Sequence, residues 1–295
     1  MHQGFLNFNK PSGISSNNAL QILKPHLNGS KIGFIGTLDP LASGVLPICI
    51  GFATRISEFV SDEQKEYELE GIFGASTDTF DSEGEIVSKS NFDHVRKEDL
   101  NSILKELKVK YIQEAPIYSA LKVGGKKMYQ LARKGIKVNP KKRIVNLNDF
   151  EIIDFEKPAF QIKILCGKGF YVRSLVRDIG INLKTYAYMT SLVRTMSSGF
   201  DISDAFGLDQ IKYQINNGGI KKIITPIDEL LKEIKLINLN KLESSMIING
   251  NVLKKNIIGI NDNEKLIIAN EKSSIISLGN YIDGCIFPEK VIAHD

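Results

Sequence analysis

Gly33-Phe34-Ile35-Gly36-Thr37-Leu38-Asp39-Pro40-Leu41-Ala42-Ser43-Gly44 reads as a loop built to hold one shape. Glycines at 33, 36 and 44 let the backbone turn sharply and let a ligand come close. Pro40 biases Asp39 toward an extended conformation, which restricts where its carboxylate points. One aspartate on such a loop can be a nucleophile, a general base or a charge stabiliser. Taken alone, the spacing favours an Asx turn that only organises the loop, because Asp-Pro is a common turn dipeptide.

On the N-terminal side, Ser15 or Ser16 caps a short helix carrying Ala19, Leu20, Ile22 and Leu23, and Pro25 ends or kinks it. On the C-terminal side, the segment up to Gly51 reads as loop and short strand. Tyr67, Leu69, Gly71 and Phe73 then alternate with Glu66, Glu68 and Glu70, the pattern of a strand with one wet face. Residues 96–107 read as a surface helix. Residues 145–155 and 159–165 read as strands joined by a turn at Glu156-Lys157-Pro158. Val172, Leu175, Val176, Ile179 and Leu183 have helical spacing, and residues 188–196 return as an extended segment. After about residue 230 the texture changes. Short apolar runs at 234–237, 266–269 and 275–278 alternate with Asn- and Gly-rich turns, and Asn240 with Glu243 makes a capping box. The whole predicts an α+β domain with a small β-rich appendage.

Bulk composition narrows the chemistry. The 295 residues suffice for one large domain and a small one, and 42% apolar with 24% charged residues is ordinary for a soluble globular protein. The longest apolar stretch, about residues 45–53, is too short to span a bilayer, and the N-terminus predicts no signal peptide. Cys49, Cys166 and Cys285 are too scattered for a disulfide framework or a thiolate zinc site, so a reducing cytoplasm is expected. No phosphate-binding loop, dinucleotide fingerprint, zincin motif or nucleophile elbow is present. His2, His26, His94 and His294 are isolated. Carboxylate chemistry without metal or nucleotide cofactor is what remains.

Net charge is only +4, but its placement is uneven. Residues 115–148 contain no acid and carry Lys122, Lys126, Lys127, Arg133, Lys134, Lys137, Lys141, Lys142 and Arg143. A second acid-free run, 157–177, adds Lys163, Lys168 and Arg173. Clustered cations of this kind suit a phosphate backbone, although a solvated basic face has the same signature. Tyr67 heads an apolar strand face and reads alone as a core tyrosine. Lys168-Gly169-Phe170-Tyr171-Val172-Arg173 sets an arginine at a strand-to-helix junction, where a surface ion pair is the ordinary outcome.

Together these segments resemble, in order, the bacterial TruB family of tRNA pseudouridine synthases. Lys10-Pro11-Ser12-Gly13-Ile14-Ser15-Ser16 is similar to its opening motif and residues 36–44 to its catalytic motif. Lys65-Glu66-Tyr67, then Thr77-Asp78-Thr79 with Asp81 and Gly84, then residues 116–122 with Gly124-Gly125-Lys126-Lys127, follow in the family's sequence. Residues 168–173, with Asp178 and Gly180 after them, resemble its arginine motif. The likeness covers about residues 4–230. It implies a mixed, largely antiparallel sheet flanked by helices, the pseudouridine synthase fold, over 1–232. Residues 233–295 resemble, in position and texture, a PUA-like RNA-binding β-barrel module.

The resemblance also implies roles. Asp39 would be the catalytic carboxylate and Arg173 its ion-pair partner, with removal of either costing about 3–5 kcal/mol if the pair is buried. Tyr67 would lie against the target uracil, and Tyr171 and Leu192 would complete the pocket. Uridine 55 of the tRNA T-loop would be flipped out and isomerised with no cofactor. Lys122, Lys126, Lys127 and Arg133 would contact the T-arm, and a monomer needing no protein partner is expected. One departure stands out: Gly33-Phe34-Ile35-Gly36 replaces the family's Gly-His-Thr-Gly. Phe34 can stack or wedge, worth about 1–3 kcal/mol per base, but cannot donate a hydrogen bond. Three competing readings follow. A tRNA-folding chaperone with a vestigial pocket would not need the trio of Asp39, Tyr67 and Arg173. A guide-dependent relative acting on ribosomal RNA would be expected to carry longer lysine-rich tails. A glycosidase or nuclease would pair Asp39 with a second acid, where the motif supplies an arginine.

Overall fold

The computed structural model describes residues 3–27, 29–60, 64–119, 121–132, 134–136, 140, 142–231 and 234–291. The chain opens with β1 (Gly4–Lys10) and α1 (Ser16–Leu23). Ser15 is the cap of α1, accepting from the Asn18 N–H at 3.1 Å, and a 3₁₀ turn, Lys24–His26, takes up Pro25 at its end. Next come β2 (Ile32–Phe34), β3 (Ser43–Ile50) and α2 (Ala53–Val60). They are followed by β4 (Gln64–Phe73), β5 (Ala75–Thr77), β6 (Ile86–Lys89) and α3 (Lys97–Val109). Then β7 (Tyr111–Glu114) leads into a small basic excursion of β8 (Lys122–Val123), β9 (Lys126–Lys127) and α4 (Met128–Ala132). β10 (Lys142–Val145) returns to pair with β7. The hairpin β11 (Leu147–Glu156) and β12 (Ala159–Gly167) precedes α5 (Val172–Asn182), β13 (Ala187–Ser197) and β14 (Phe200–Asp201). Helices α6 (Leu208–Asn216) and α7 (Ile227–Leu231) complete this part.

The main sheet has the order β1-β3-β13-β4-β12-β11, with β2 on β3 and β14 on β13. Every pairing is antiparallel except β3 with β13, so the sheet is mixed and largely antiparallel. Period-2 patterning drives β4 into its centre. Tyr67, Leu69 and Phe73 are buried on one face. The other face is less wet than its glutamates suggest. Glu66 pairs with Lys163 at 2.9 Å and accepts from Thr195, and Glu70 accepts from Thr190 and Gln161. The apolar face packs on Leu23 of α1, Leu100 and Leu104 of α3, and Leu175, Val176 and Ile179 of α5.

The expectation of loop and short strand up to Gly51 is corrected: β3 is an eight-residue strand, buried over Gly44 to Ile50. A proline is unusual inside a central strand, and Pro47 lies within β3. It is accommodated because β3 changes partners around it, with β13 meeting residues 43–44 and β2 meeting residues 48–50.

The C-terminal sheet comprises β15 (Lys235–Asn238), β16 (Leu253–Lys254), β17 (Glu264–Ala269), β18 (Ile275–Ile282) and β19 (Cys285–Val291), with α8 (Lys241–Ile248) between the first two. Its order is β15-β17-β18-β19-β16, a curled half-barrel rather than a closed barrel, consistent with a PUA-like module. The Asn240–Glu243 capping box forms as expected, with both reciprocal bonds made. Ile237, Ile247, Leu266, Ile268 and Ile286 give this sheet its own core. A separate cluster, Phe5, Val45, Ile56 and Phe59 with Ile267 and Leu278, packs it against α2 and the back of β1 and β3. We propose 1–232 and 233–295 as the two units; residues 232 and 233 lie outside the described residues. Among the described residues no helix is long and apolar enough to cross a membrane.

Gly44 lies at φ +100°, directly against the β13 backbone, and a methyl group there would collide with the Arg194 carbonyl oxygen. Gly44→Ala is therefore expected to destabilise the protein by at least the about 1–3 kcal/mol of backbone strain, read by denaturant unfolding.

Candidate active site

The loop bearing Asp39 is fixed from below by the opening segment. Ser16 Oγ both donates to the Leu38 carbonyl and accepts from the Leu38 N–H, each at 2.9 Å. The Gly13 N–H donates to the Pro40 carbonyl at 2.8 Å, and Ser12 Oγ to the Leu41 carbonyl at 2.7 Å. Lys10 is fully buried and donates to the carbonyls of Pro11, Ile14 and Pro40. Burial pulls its ammonium down to about 8, against the opposing charges of Asp39 and Glu83. With the backbone so held, the Asp39 carboxylate is turned away from its own loop and toward Arg173. That removes the Asx-turn reading.

Arg173 stands in the first turn of α5 and is buried, with 6% of its side chain exposed. Its Nη2 donates to Asp39 Oδ1 at 3.2 Å, and its Nε lies 2.9 Å from Oδ2, a side-on approach in which the Nε contact is electrostatic rather than a formed hydrogen bond. The same guanidinium donates to the carbonyls of Thr79 and Tyr118, both at 3.0 Å, and lies 3.3 Å from Asp81 Oδ2. Asp81 is thus a second acid, which corrects the expectation that the motif would offer Asp39 only an arginine. It is no catalytic partner, however. Its side chain is 3% exposed, and one oxygen is spent on Thr79 Oγ1 and the Glu83 N–H. Asp39, at 35%, is the carboxylate open to a substrate.

The Arg173 junction is latched by Gln113, a residue that no motif or periodicity singles out. Gln113 is fully buried in β7. Its Oε1 accepts from the Tyr171 N–H at 2.8 Å, and its Nε2 donates to the Tyr171 carbonyl at 2.9 Å and to the Tyr111 hydroxyl at 3.1 Å. Tyr111 in turn donates to Asp178 at 2.7 Å. Burial raises the Asp178 carboxyl, with Arg177 and Tyr111 opposing.

Tyr67 is buried on β4, opposite Arg194 of β13. Burial raises its hydroxyl above the ordinary range; Arg194 lowers it and Asp39 adds a smaller upward push. Leu192 is buried beside it, paired with Leu69. Tyr171 is half-buried with the Arg143 guanidinium 4.9 Å from its ring centre. Asp39 and Arg173 are therefore in contact, and Tyr67 is within the field of Asp39. Phe34 is set apart on β2, half-buried and packed against the main core. Lys126 is exposed on the β8–β9 hairpin; the side chains of Lys122 and Lys127, and all of Arg133, lie outside the described residues. The second acid-free run leaves Lys168 exposed but commits most of its other cations. Lys163 is paired with Glu66, Lys157 donates to the Asp93 carbonyl, and Arg173 is committed inside. A cleft of about 490 Å³ beside Tyr111 and Asp178 includes none of Asp39, Tyr67 or Arg173. Among the described residues no cluster of His, Cys, Asp and Glu could hold a metal ion.

A central mixed sheet carrying an aspartate loop, with a curled C-terminal sheet behind it, is the pseudouridine synthase fold. The chain overlays an H/ACA RNP bound to a substrate RNA containing 2′-deoxyuridine with a TM-score of 0.72 at 22% identity, covering 99% of this chain and 85% of that one. It overlays an archaeal box H/ACA sRNP Nop10-Cbf5 complex with a TM-score of 0.69 at 22% identity, covering 98% and 86%. Residues 24–172 match the model of the TruB family pseudouridylate synthase N-terminal domain, and residues 173–232 that of the tRNA pseudouridylate synthase B C-terminal domain. The chain is 36% identical to tRNA pseudouridine synthase B of Clostridium tetani over 247 residues, 84% of each chain. It is 37% identical to that of Bacillus cytotoxicus over 262 residues, covering 86% of this chain and 85% of the relative. It is 42% identical to that of Francisella tularensis subsp. tularensis over 210 residues, 71% and 70%. The chain belongs to the TruB family of pseudouridylate synthases.

Unequal burial changes the cost of breaking the ion pair. Asp39→Asn leaves Arg173 with Asp81, so its expected stability loss is that of a partly exposed pair, at most about 1 kcal/mol. Arg173→Met strands the buried Asp81 carboxylate and is expected to cost about 3–5 kcal/mol. Denaturant midpoints of the two variants check the contrast; equal losses would contradict it.

Proposed function

We propose that the protein isomerises uridine 55 in the T-loop of tRNA to pseudouridine, with Asp39 as the catalytic carboxylate. The observation that carries this reading is the Asp39–Arg173 pair. A buried, doubly anchored guanidinium orients one accessible carboxylate beside a buried tyrosine. Such a site is preorganised for one substrate group and needs no cofactor for an isomerisation. The N1–C1′ bond breaks, the uracil turns, and C5 joins C1′; the C5 proton is lost and N1 gains one. Tyr67 lies against the uracil, and Tyr171 and Leu192 wall the pocket. Lys122, Lys126, Lys127 and Arg133 meet the T-arm phosphates. Phe34, only half-buried, keeps a ring face for a T-loop base. The chain acts as a cytoplasmic monomer on free tRNA, without guide RNA or protein partner.

The test is incubation of the purified chain alone with an unmodified tRNA transcript, followed by chemical mapping of pseudouridine. Product at position 55 from wild type, and none from an Asp39→Asn variant that still binds, is expected. Binding without product by wild type would favour the chaperone reading, and strand cleavage the nuclease. Two further variants probe the pocket. Tyr67→Phe is expected to bind tRNA normally, since ring packing is kept. Phe34→Ala is expected to bind about 5–100-fold more weakly, the loss of one base–aromatic stack; unchanged affinity and rate would remove the wedge role.

A further inference from the structure

Arg194 is a fully buried arginine. Arg173 shares its charge with Asp39 and Asp81; Arg194 forms no salt bridge with any described residue. Its Nε donates to the Val45 carbonyl at 2.7 Å and its Nη2 to the Gly36 carbonyl at 2.9 Å, so it braces both ends of the Asp39 loop. Its Nη1 is buried and forms no hydrogen bond of normal geometry, while the guanidinium lies close enough to the Tyr67 hydroxyl to favour its ionised form. The side chain has no room to swing. Its backbone is paired with Gly44 on one side and Tyr67 on the other, and a methyl group on Gly36 would come within 3.1 Å of Nη1.

A loop brace requires two donors, and neutral side chains supply donors. Burying an unpaired cation is costly, and a low-dielectric setting makes its field strong. That field reaches Tyr67 and Cys166, where it opposes the rise that burial imposes, and Lys10, where it adds to the lowering. Lys10, a second buried cation near the loop without a carboxylate partner among the described residues, has spent its donors on three carbonyls. Among the buried cations described, Arg194 combines an N–H that forms no hydrogen bond with a charge that no carboxylate faces; the unbonded Nε of Arg173 faces Asp39.

We propose that Arg194 stabilises the uracil anion formed when the N1–C1′ bond breaks, acting on the base through the Tyr67 hydroxyl. The inference rests on the proposed function. On heterolysis the bonding pair leaves with N1, and the base carries one negative charge over its ring nitrogens and carbonyl oxygens. That charge lasts until C5 bonds to C1′; the C5 proton then departs and N1 is protonated. A cation fixed beforehand beneath the tyrosine opposes its build-up with no reorganisation during the reaction. Arg194 is a positioning residue by this account, since Tyr67 and not Arg194 meets the base.

The experiment compares single-turnover consumption of uridine and of 5-fluorouridine at the target position of a T-arm RNA. Fluorine withdraws electrons and stabilises the anionic base by itself, so the fluorinated substrate depends less on the protein's cation. Arg194→Met is expected to slow uridine about a hundredfold and 5-fluorouridine at least about tenfold less. Arg194→Lys, which keeps the charge, is expected to recover most of the uridine rate. Equal slowing of both substrates, with no recovery in the lysine variant, would mean a loop brace only and overturn the proposal. If melting shows that Arg194→Met does not fold, Tyr67→Phe carries the test. A loss selective for uridine supports the proposal, and an equal loss overturns it. Wild type that leaves uridine unchanged would sink the proposed function, and this inference with it.

Discussion

The site depends on one guanidinium shared by two carboxylates of unequal burial. Asp81 is closed off and saturated by Thr79 and the Glu83 N–H, so it anchors Arg173 without competing for substrate. Asp39 then takes the outer edge of the fork and keeps an open face. A single Asp–Arg pair would have to choose between being well buried and being accessible. Two acids on one arginine separate those demands. The turn around Thr79, the root of the basic excursion at Tyr118 and the start of α5 all converge on Arg173 through their carbonyls or their own backbone. Displacing any of them moves the arginine.

The Asp39 loop is rigid for a complementary reason. It contributes almost no regular hydrogen bonding of its own, so its backbone groups are satisfied by others. Ser16, Gly13, Ser12 and Lys10 take Leu38, Pro40 and Leu41 from one side, and Arg194 takes Gly36 and Val45 from the other. Gly36 and Gly44 admit the arginine by lacking side chains. Holding a reactive group to within a fraction of an ångström requires supports of this kind, locked by their own packing.

What the sequence made legible follows from where its periodicities are clean. The alternation in β4, the helical spacing of α5 and the capping box of α8 are local patterns, and each element forms where the pattern puts it. Asp39 and Arg173 were legible only through ordered resemblance, because a single Asp-Pro turn or a single surface arginine is commonplace. Asp81, Gln113 and Arg194 were not legible as site residues for a common reason. Gln113 and Arg194 are polar residues buried where strand alternation expects an apolar one, and Asp81 is buried within a polar turn; burial of that kind is decided by partners distant in sequence. β7 shows it in four residues: Gln113 is fully buried while Ile112 between it and Tyr111 is 53% exposed. Pro47 hid β3 in the same way, since its tolerance depends on two other strands changing over beside it.

The departure at Phe34 is best understood against this architecture. β2 joins the sheet through backbone pairing of Ile32–Phe34 with Ile50–Ile48, a register independent of the side chain at 34. The braces on the Asp39 loop begin at Gly36 and none involves the Phe34 ring. Exchanging a histidine for a phenylalanine at 34 therefore leaves the Asp39–Arg173–Asp81 arrangement unstrained. On the proposed reading, what changes is contact with RNA: a stacking ring remains and a hydrogen-bonding, titratable one is lost. On that reading, recognition of the T-loop and alignment of the carboxylate are supported by separate sets of contacts. The first can vary at one residue while the second, with Arg194 and the opening segment holding it, stays in place.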